Sequence, residues 1–176
     1  HGCLVGSEMC IRDSYNAAYC LKESYWLDWS FFKGRFVQNI FLTGGTDGIG
    51  LSAAKSLLAM KHRLFVTYRN KKKLDAVKHE LKKFYDNEKI TFLKCDLSEP
   101  SEIDETVNAI SNSKIKIHCL INNAGTILFK KSFNSMGIEK VFATNHLGPF
   151  YLTNSFLEKN LMLSLIHISE PTRQPC

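Results

Sequence analysis

The chain has 176 residues, of which 44% are hydrophobic and 23% charged, and a formal net charge of +6 at pH 7. That length accommodates one domain or part of one, and no run approaches the ~20 consecutive apolar residues needed to span a bilayer. The positive charge gathers in Lys71, Lys72, Lys73, Lys78, Lys82 and Lys83; without aromatic platforms or a recognisable module beside it, it reads as a solvated helix face and excludes nucleic acid as a partner.

Residues 1–14 and 163–176 are read as foreign to the native chain. The oligonucleotide GGCTCGGAGATGTGTATAAGAGACAG encodes residues 6–14, and its reverse complement encodes residues 163–170 and opens the codon of Pro171. One oligonucleotide read on opposite strands therefore accounts for both flanks, and it resembles a transposase-based library adaptor. Such segments are set aside in fold reasoning. This removes Cys3, Cys10 and Cys176 from any disulfide framework and His167 from any ligand set. Residues 15–162 are expected to be the native unit. Within it, Cys20, Cys95 and Cys119 have spacings that suit neither zinc nor a redox pair, so no metal site is expected. The apolar surroundings of Cys95 and Cys119 point to a reducing compartment. Residues 15–32 are aromatic-rich with no clear period; Tyr25, Trp26 and Trp29 either cap a sheet edge or touch a membrane surface.

From residue 37 the pattern becomes regular. Apolar runs predict strands over 37–42, 64–68, 90–94 and 117–121, and helical spacing predicts helices over 49–61, 71–87, 99–111 and 138–161. Ile49, Ala53, Leu57 and Met60 form the inner face expected of the first helix, and Leu74, Val77, Leu81 and Phe84 that of the second, opposite its lysines. Ser98 is the N-cap candidate of the third helix, with Glu99, Pro100 and Glu102 in its first turn. Its inner face would be Ile103, Val107 and Ile110. Such alternation predicts an α/β fold, a parallel sheet with helices on both faces joined by right-handed crossovers.

Between the first strand and the first helix lies Thr43-Gly-Gly-Thr-Asp-Gly-Ile-Gly50. Glycine turns sharply without steric cost and lets a diphosphate approach the backbone, and the free N–H groups of a helix start hold an anion. Gly44, Gly48 and Gly50 have the spacing G-x-x-x-G-x-G, not the general G-x-G-x-x-G. Asp47 is an uncomfortable neighbour for phosphate unless its carboxylate points outward or caps the following N–H groups.

Three more motifs follow in order: Cys95-Asp96-Leu97 after the third strand, Asn122-Asn123-Ala124-Gly125 after the fourth, and Asn145-His146-Leu147-Gly148 inside the last helix. With the glycine-rich turn they resemble the short-chain dehydrogenase/reductase family. The run over 137–153 is most similar to the branch containing retinol dehydrogenases and the WW-domain oxidoreductase, and the resemblance extends from about residue 33 to about residue 161. It implies a Rossmann-like doubly wound parallel sheet, truncated to about four strands of the full sheet. Gly44, Thr46, Asp47, Gly48 and Ile49 would line the pyrophosphate turn, Arg69 and Asn70 the end of the second strand, and Asp96 and Leu97 the adenine edge. Asn123, Ala124 and Gly125 would lie against the nicotinamide ribose, and Asn122 would tie strands together. Asn145 is the catalytic residue the resemblance implies, kinking its helix and ordering a water in the proton relay. His146 beside it reads as a packed helix residue. Gly148-Pro149 is unfavourable in mid-helix, Pro by ~3 kcal/mol, and suits a ladder already disturbed near Asn145.

A carboxylate at the end of the second strand would bond the ribose 2′-hydroxyl and select NAD. Tyr68 stands there instead and Arg69 follows. A guanidinium holds a 2′-phosphate bidentately, so NADP is expected over NAD; the alternative is that Arg69 is a surface residue before a lysine-rich helix. Asp96 has its own alternative, as a helix-start signal. The acid–base tyrosine of the family, the lysine four residues on and the serine lie C-terminal to the Asn145 helix. Tyr68/Lys72 and Tyr85/Lys89 have that spacing but precede Asn122, and read as coincidence. Truncation would leave the strand over 117–121 as an open edge and uncover Phe142, Phe150 and Leu152.

These readings make the chain the NADP(H)-binding half of an oxidoreductase that interconverts an alcohol and a carbonyl on a lipophilic substrate, itself inactive. Two alternatives stay open: a non-catalytic nucleotide-binding sensor or scaffold, and an assembly artefact never made as this polypeptide. A homodimeric full-length protein also stays open. So does a cytoplasmic location, with or without association with the endoplasmic reticulum membrane.

Overall fold

The computed structural model describes residues 37–81 and 89–163. Strands β1 (Asn39–Leu42), β2 (Arg63–Tyr68), β3 (Ile90–Lys94) and β4 (Cys119–Ile121) alternate with helices α1 (Gly48–Ala59), α2 (Lys71–Leu81) and α3 (Pro100–Asn112). After β4 come a single turn α4 (Lys140–Phe142), a π-helical turn over Ala143–Leu147, and α5 (Gly148–Glu158). The strands form one parallel sheet in the order β3-β2-β1-β4, as the alternation predicts.

Successive strand side chains point to opposite faces, and here both faces are covered. On one, Ile40, Leu42, Leu64 and Val66 pack with Ala54, Leu57 and Leu58 of α1 and Val77 and Leu81 of α2. On the other, Phe41 and Phe65 meet Ile103, Val107 and Ile110 of α3 and Leu152 and Phe156 of α5. Each such buried side chain stabilises the fold by about 1.5–3 kcal/mol relative to exposure. The rings of Phe41 and Phe156, 4.9 Å apart and edge to face, add to this. Between β3 and β4 the chain crosses back over the sheet, so strand order reverses between β1 and β4. A crevice forms there at the strands' carboxyl ends.

Several boundaries and faces differ from expectation. β1 starts at Asn39, whose N–H bonds to His118 Nδ1 at 2.9 Å, and Val37 is exposed. The buried face of α1 is Gly50, Ala54, Leu57 and Leu58, while Ile49 is 54% exposed. Gly50 sets that rotation, because a β-carbon on it would collide with the Gly44 carbonyl oxygen. α3 is capped by Glu99 without a side-chain bond, because the N–H and hydroxyl of Ser98 both go to Asp96 Oδ1. In α2 the lysines Lys71, Lys72 and Lys73 are exposed opposite Leu74 and Val77, as expected; Lys82, Lys83, Phe84 and Tyr85 lie outside the described residues.

The last helix is the largest departure. It breaks at the π-helical turn, where Gly148 N–H bonds back to the Ala143 carbonyl. Gly148 presses against Leu97, whose carbonyl oxygen a β-carbon would strike, and Pro149 sits in the first turn of the α-helix that Gly148 begins. Leu152 is fully buried rather than uncovered; Phe142 and Phe150 are exposed. His146 is exposed and stacks on Phe142, 5.3 Å between ring centres, rather than packing inside. Beyond α5 the chain returns beside β4: Ile117 N–H bonds to the Leu161 carbonyl at 2.8 Å and Leu163 N–H to the Ile117 carbonyl at 2.9 Å. The start of that edge is therefore paired, not open. Leu163 belongs to the flank read as adaptor, and it contributes its backbone with an exposed side chain. The remainder of both flanks, Cys20, Tyr25, Trp26 and Trp29 fall outside the described residues.

Candidate functional site

The crevice is a cleft of about 490 Å³. It is lined by Gly44, Thr46, Asp47, Gly48 and Ile49 from the turn after β1, by Arg69 and Asn70 after β2, by Asp96 and Leu97 after β3, and by Asn123, Ala124 and Gly125 after β4. Every residue expected to touch cofactor is thus brought to one place. Asn145 is not in the lining. It stands one residue behind, its Oδ1 accepting from Thr126 N–H at 2.8 Å and its Nδ2 donating to the Thr126 carbonyl at 2.9 Å.

Two turns form the inner wall, and they interlock. Thr43 Oγ1 accepts from the N–H groups of Asn123, 2.9 Å, and Ala124, 3.0 Å. Asn123 Nδ2 donates back to the carbonyls of Thr43 and Gly44. This contact is so close that a β-carbon on Gly44 would lie 2.8 Å from Ala124 Cα. Gly44 also has φ +68°, a conformation that costs glycine nothing. Asn123 therefore ties β1 to β4, the role expected of Asn122. Asn122 Nδ2 instead reaches Thr153 Oγ1 in α5 at 3.1 Å. Adjacent strand-end residues point to opposite faces, and only Asn123 faces the first turn.

Gly48 presents the reverse situation. Its φ is +48°, and nothing lies within 4 Å of the place a β-carbon would take, so the backbone at the start of α1 is open to the cleft. Asp47 caps that helix: Oδ1 accepts from Gly48 N–H at 2.8 Å, and Oδ2 pairs with Lys73 Nζ. The bond to Lys73, then the Gly48 N–H, then the ammonium's field hold the Asp47 carboxyl below its ordinary range.

The outer rim is looser. Asn70 Oδ1 caps α2 by accepting from Lys72 N–H at 2.9 Å and Lys73 N–H at 3.3 Å. Arg69 is exposed and, among the described residues, has no acidic partner. Asp96 shapes the turn before α3 through Ser98, and it also lines the cleft. Burial pushes the Cys95 thiol up to about 11 and raises that of Cys119, so both are inert thiols.

Seven lining residues were not among those expected to touch cofactor, namely Gly50, Thr67, Tyr68, Lys73, Cys95, Thr126 and Thr144, and two of them matter for the chemistry. Lys73 carries no signal of its own within a run of lysines. Thr144 is 6% exposed and lines the cleft, and its hydroxyl oxygen is buried with no hydrogen-bond partner among the described residues. A buried hydroxyl without a partner is costly, so Thr144 marks a place where a polar ligand atom fits. Its only signal in the sequence is its position beside Asn145.

Strand order reversing beside a glycine-rich turn and an open helix start defines a Rossmann-type nucleotide-binding domain. The chain belongs to the short chain dehydrogenase family, which it matches over residues 38–165. It is 36% identical to human polyprenol dehydrogenase over 135 residues, covering 72% of this chain and 41% of that protein. With human retinol dehydrogenase 11 it is 32% identical, covering 68% of the chain and 38% of that protein. The chain thus spans about two fifths of the length of these relatives. Among solved structures it is similar to a metagenomic short-chain oxidoreductase in complex with NADP, at TM-score 0.58 and 26% identity, covering 69% of this chain and 56% of that one. A Pseudomonas aeruginosa RhlG/NADP active-site complex matches at TM-score 0.58 and 25% identity, covering 72% and 49%. Among the described residues no helix is long and apolar enough to cross a membrane.

Proposed function

We propose that this chain is the NADP(H)-binding half of an oxidoreductase that interconverts an alcohol and a carbonyl, with a lipophilic substrate. The carrying observation is a cleft at the β1/β4 switch point with an arginine that has no acidic partner among the described residues, and no carboxylate, at the end of β2. The open backbone at Gly48 and the Thr144 hydroxyl, without a partner among the described residues, fit a dinucleotide. The two similar structures holding NADP support the same reading. Bound there, the nicotinamide would exchange hydride with the substrate carbon. The residues of this chain do the holding. Gly44, Thr46, Gly48 and Ile49 receive the diphosphate; Arg69 faces the 2′-phosphate, beside Asn70. Asp96 and Leu97 form the adenine end, and Asn123, Ala124 and Gly125 the far end.

Asn145 is proposed to position a water for proton transfer. Pro149 has no N–H, so the α-helical bond to the Asn145 carbonyl four residues back cannot form, and the π-helical turn spans that site. The double bond to Thr126 fixes the residue against the β4 loop. The resemblance implies an acid–base tyrosine, its lysine and a serine C-terminal to the helix that holds Asn145, so residues 15–162 alone are expected to bind cofactor without turnover. The names of the two human relatives support a lipophilic alcohol. So does the run Ile127, Leu128 and Phe129, exposed directly beyond the cleft.

Arg69→Ala in the full-length protein tests the cofactor choice. A charge-assisted phosphate bond is worth about 1.5–3 kcal/mol. NADPH should weaken roughly ten- to a hundredfold with NADH nearly unchanged, measured by calorimetric titration. Equal loss for both cofactors would make Arg69 a structural residue.

A further inference from the structure

The pair formed by Asp47 and Lys73 is unexplained by nucleotide binding alone. Asp47 stands in the turn that would receive a diphosphate and already takes the Gly48 N–H. A carboxylate in that place repels the anion the turn is built to hold. Its partner Lys73 reaches it from the first turn of α2, 26 positions along the chain, and lines the same cleft. Both side chains are exposed, 58% for Lys73 and 69% for Asp47, and a pair so wet contributes little to folding. Its effect is local: the ammonium cancels the carboxylate's charge at the edge of the cleft.

We propose that Lys73 is a charge-compensating residue of the nucleotide site, neutralising Asp47 so that the turn after β1 accepts a diphosphate. This rests on the nucleotide-binding reading above. It differs from a 2′-phosphate contact in one respect: the diphosphate is common to NADP(H), NAD(H) and ADP, so the effect of Lys73 does not depend on the 2′-phosphate. It also makes Lys73 dispensable once Asp47 is uncharged. Asp47 thus creates the need that Lys73 meets.

The test is a double-mutant cycle in the full-length protein, with ADP as the probe in calorimetric titrations at low ionic strength. Lys73→Met should weaken ADP by about three- to tenfold, and Lys73→Arg should keep most of the affinity. Asp47→Asn should bind ADP as well as the unaltered protein or better. In the double variant Asp47→Asn/Lys73→Met, affinity should return to within about twofold of the unaltered protein. Added salt should shrink the Lys73→Met effect, because exposed charges are screened. Loss in Lys73→Met that persists in the double variant would overturn the proposal, since Lys73 would then contact the ligand itself. A loss seen only with adenosine 2′,5′-bisphosphate would overturn it too, making Lys73 a 2′-phosphate ligand. So would no loss at all. If the unaltered protein bound neither ADP nor a dinucleotide, the nucleotide reading would fail first and carry this proposal with it. Thermal melting of each variant separates lost binding from lost folding, and an exposed pair should leave Tm nearly unchanged.

Discussion

The two walls of the cleft are built in opposite ways. The inner wall, where the turn after β1 meets the turn after β4, is held by the Thr43 hydroxyl, by the Asn123 amide, and by glycines at positions where a β-carbon would collide. The outer rim, from Arg69 to Lys73, is exposed and rests on one helix cap and one ion pair across the cleft. The inner wall presents backbone, which every dinucleotide can use. The rim presents charged side chains, of which Arg69 is proposed to distinguish one dinucleotide from another and Lys73 to act on all of them alike. Damage to the first should therefore cost the fold, and damage to the second should change ligand affinity with the fold intact.

The largest effect should come from Gly50→Ala. Its β-carbon would meet the Gly44 carbonyl and the Asn123 amide at once, neither of which can move without separating the two turns. A stability loss on the order of 3 kcal/mol is expected in urea unfolding, with all nucleotide affinity gone. Thr43→Val comes next. The shape is kept, but the partly buried N–H groups of Asn123 and Ala124 lose their acceptor, at about 2 kcal/mol. Unchanged stability would mean that the inner wall is not held as described. The smallest effect should be Thr144→Val, which removes a hydroxyl that has no partner among the described residues. Stability should hold or rise slightly, while NADPH and NADH both weaken roughly threefold. Lower stability with unchanged affinity would show that the hydroxyl is used within the protein.

The same division governs what could be read in advance. The inner wall is spelled out by local motifs, because glycine spacing and the Asn123-Ala124-Gly125 run encode backbone shape directly. Strand and helix alternation placed the four strands, since each is apolar over its own length. Departures arise where the deciding contact is tertiary. Gly50 rotates α1 by its contact with Gly44, and Gly148 against Leu97 accompanies the break in the last helix. Ser98 gives up the capping role because its hydroxyl turns away to Asp96. Asn123 takes the strand-tying role expected of Asn122 because only the fold shows which one faces β1. Lys73 is one lysine among several until the structure sets it on Asp47, and no pattern reveals that the Thr144 hydroxyl lacks a partner.

Direct titration of the full-length protein with NADPH and with NADH, under one buffer and salt condition, bears most closely on the central claim. With Arg69 at the rim, without an acidic partner among the described residues, and no carboxylate at the end of β2, NADPH should bind roughly ten- to a hundredfold more tightly. Equal affinities, a preference for NADH, or no binding of either would contradict the account.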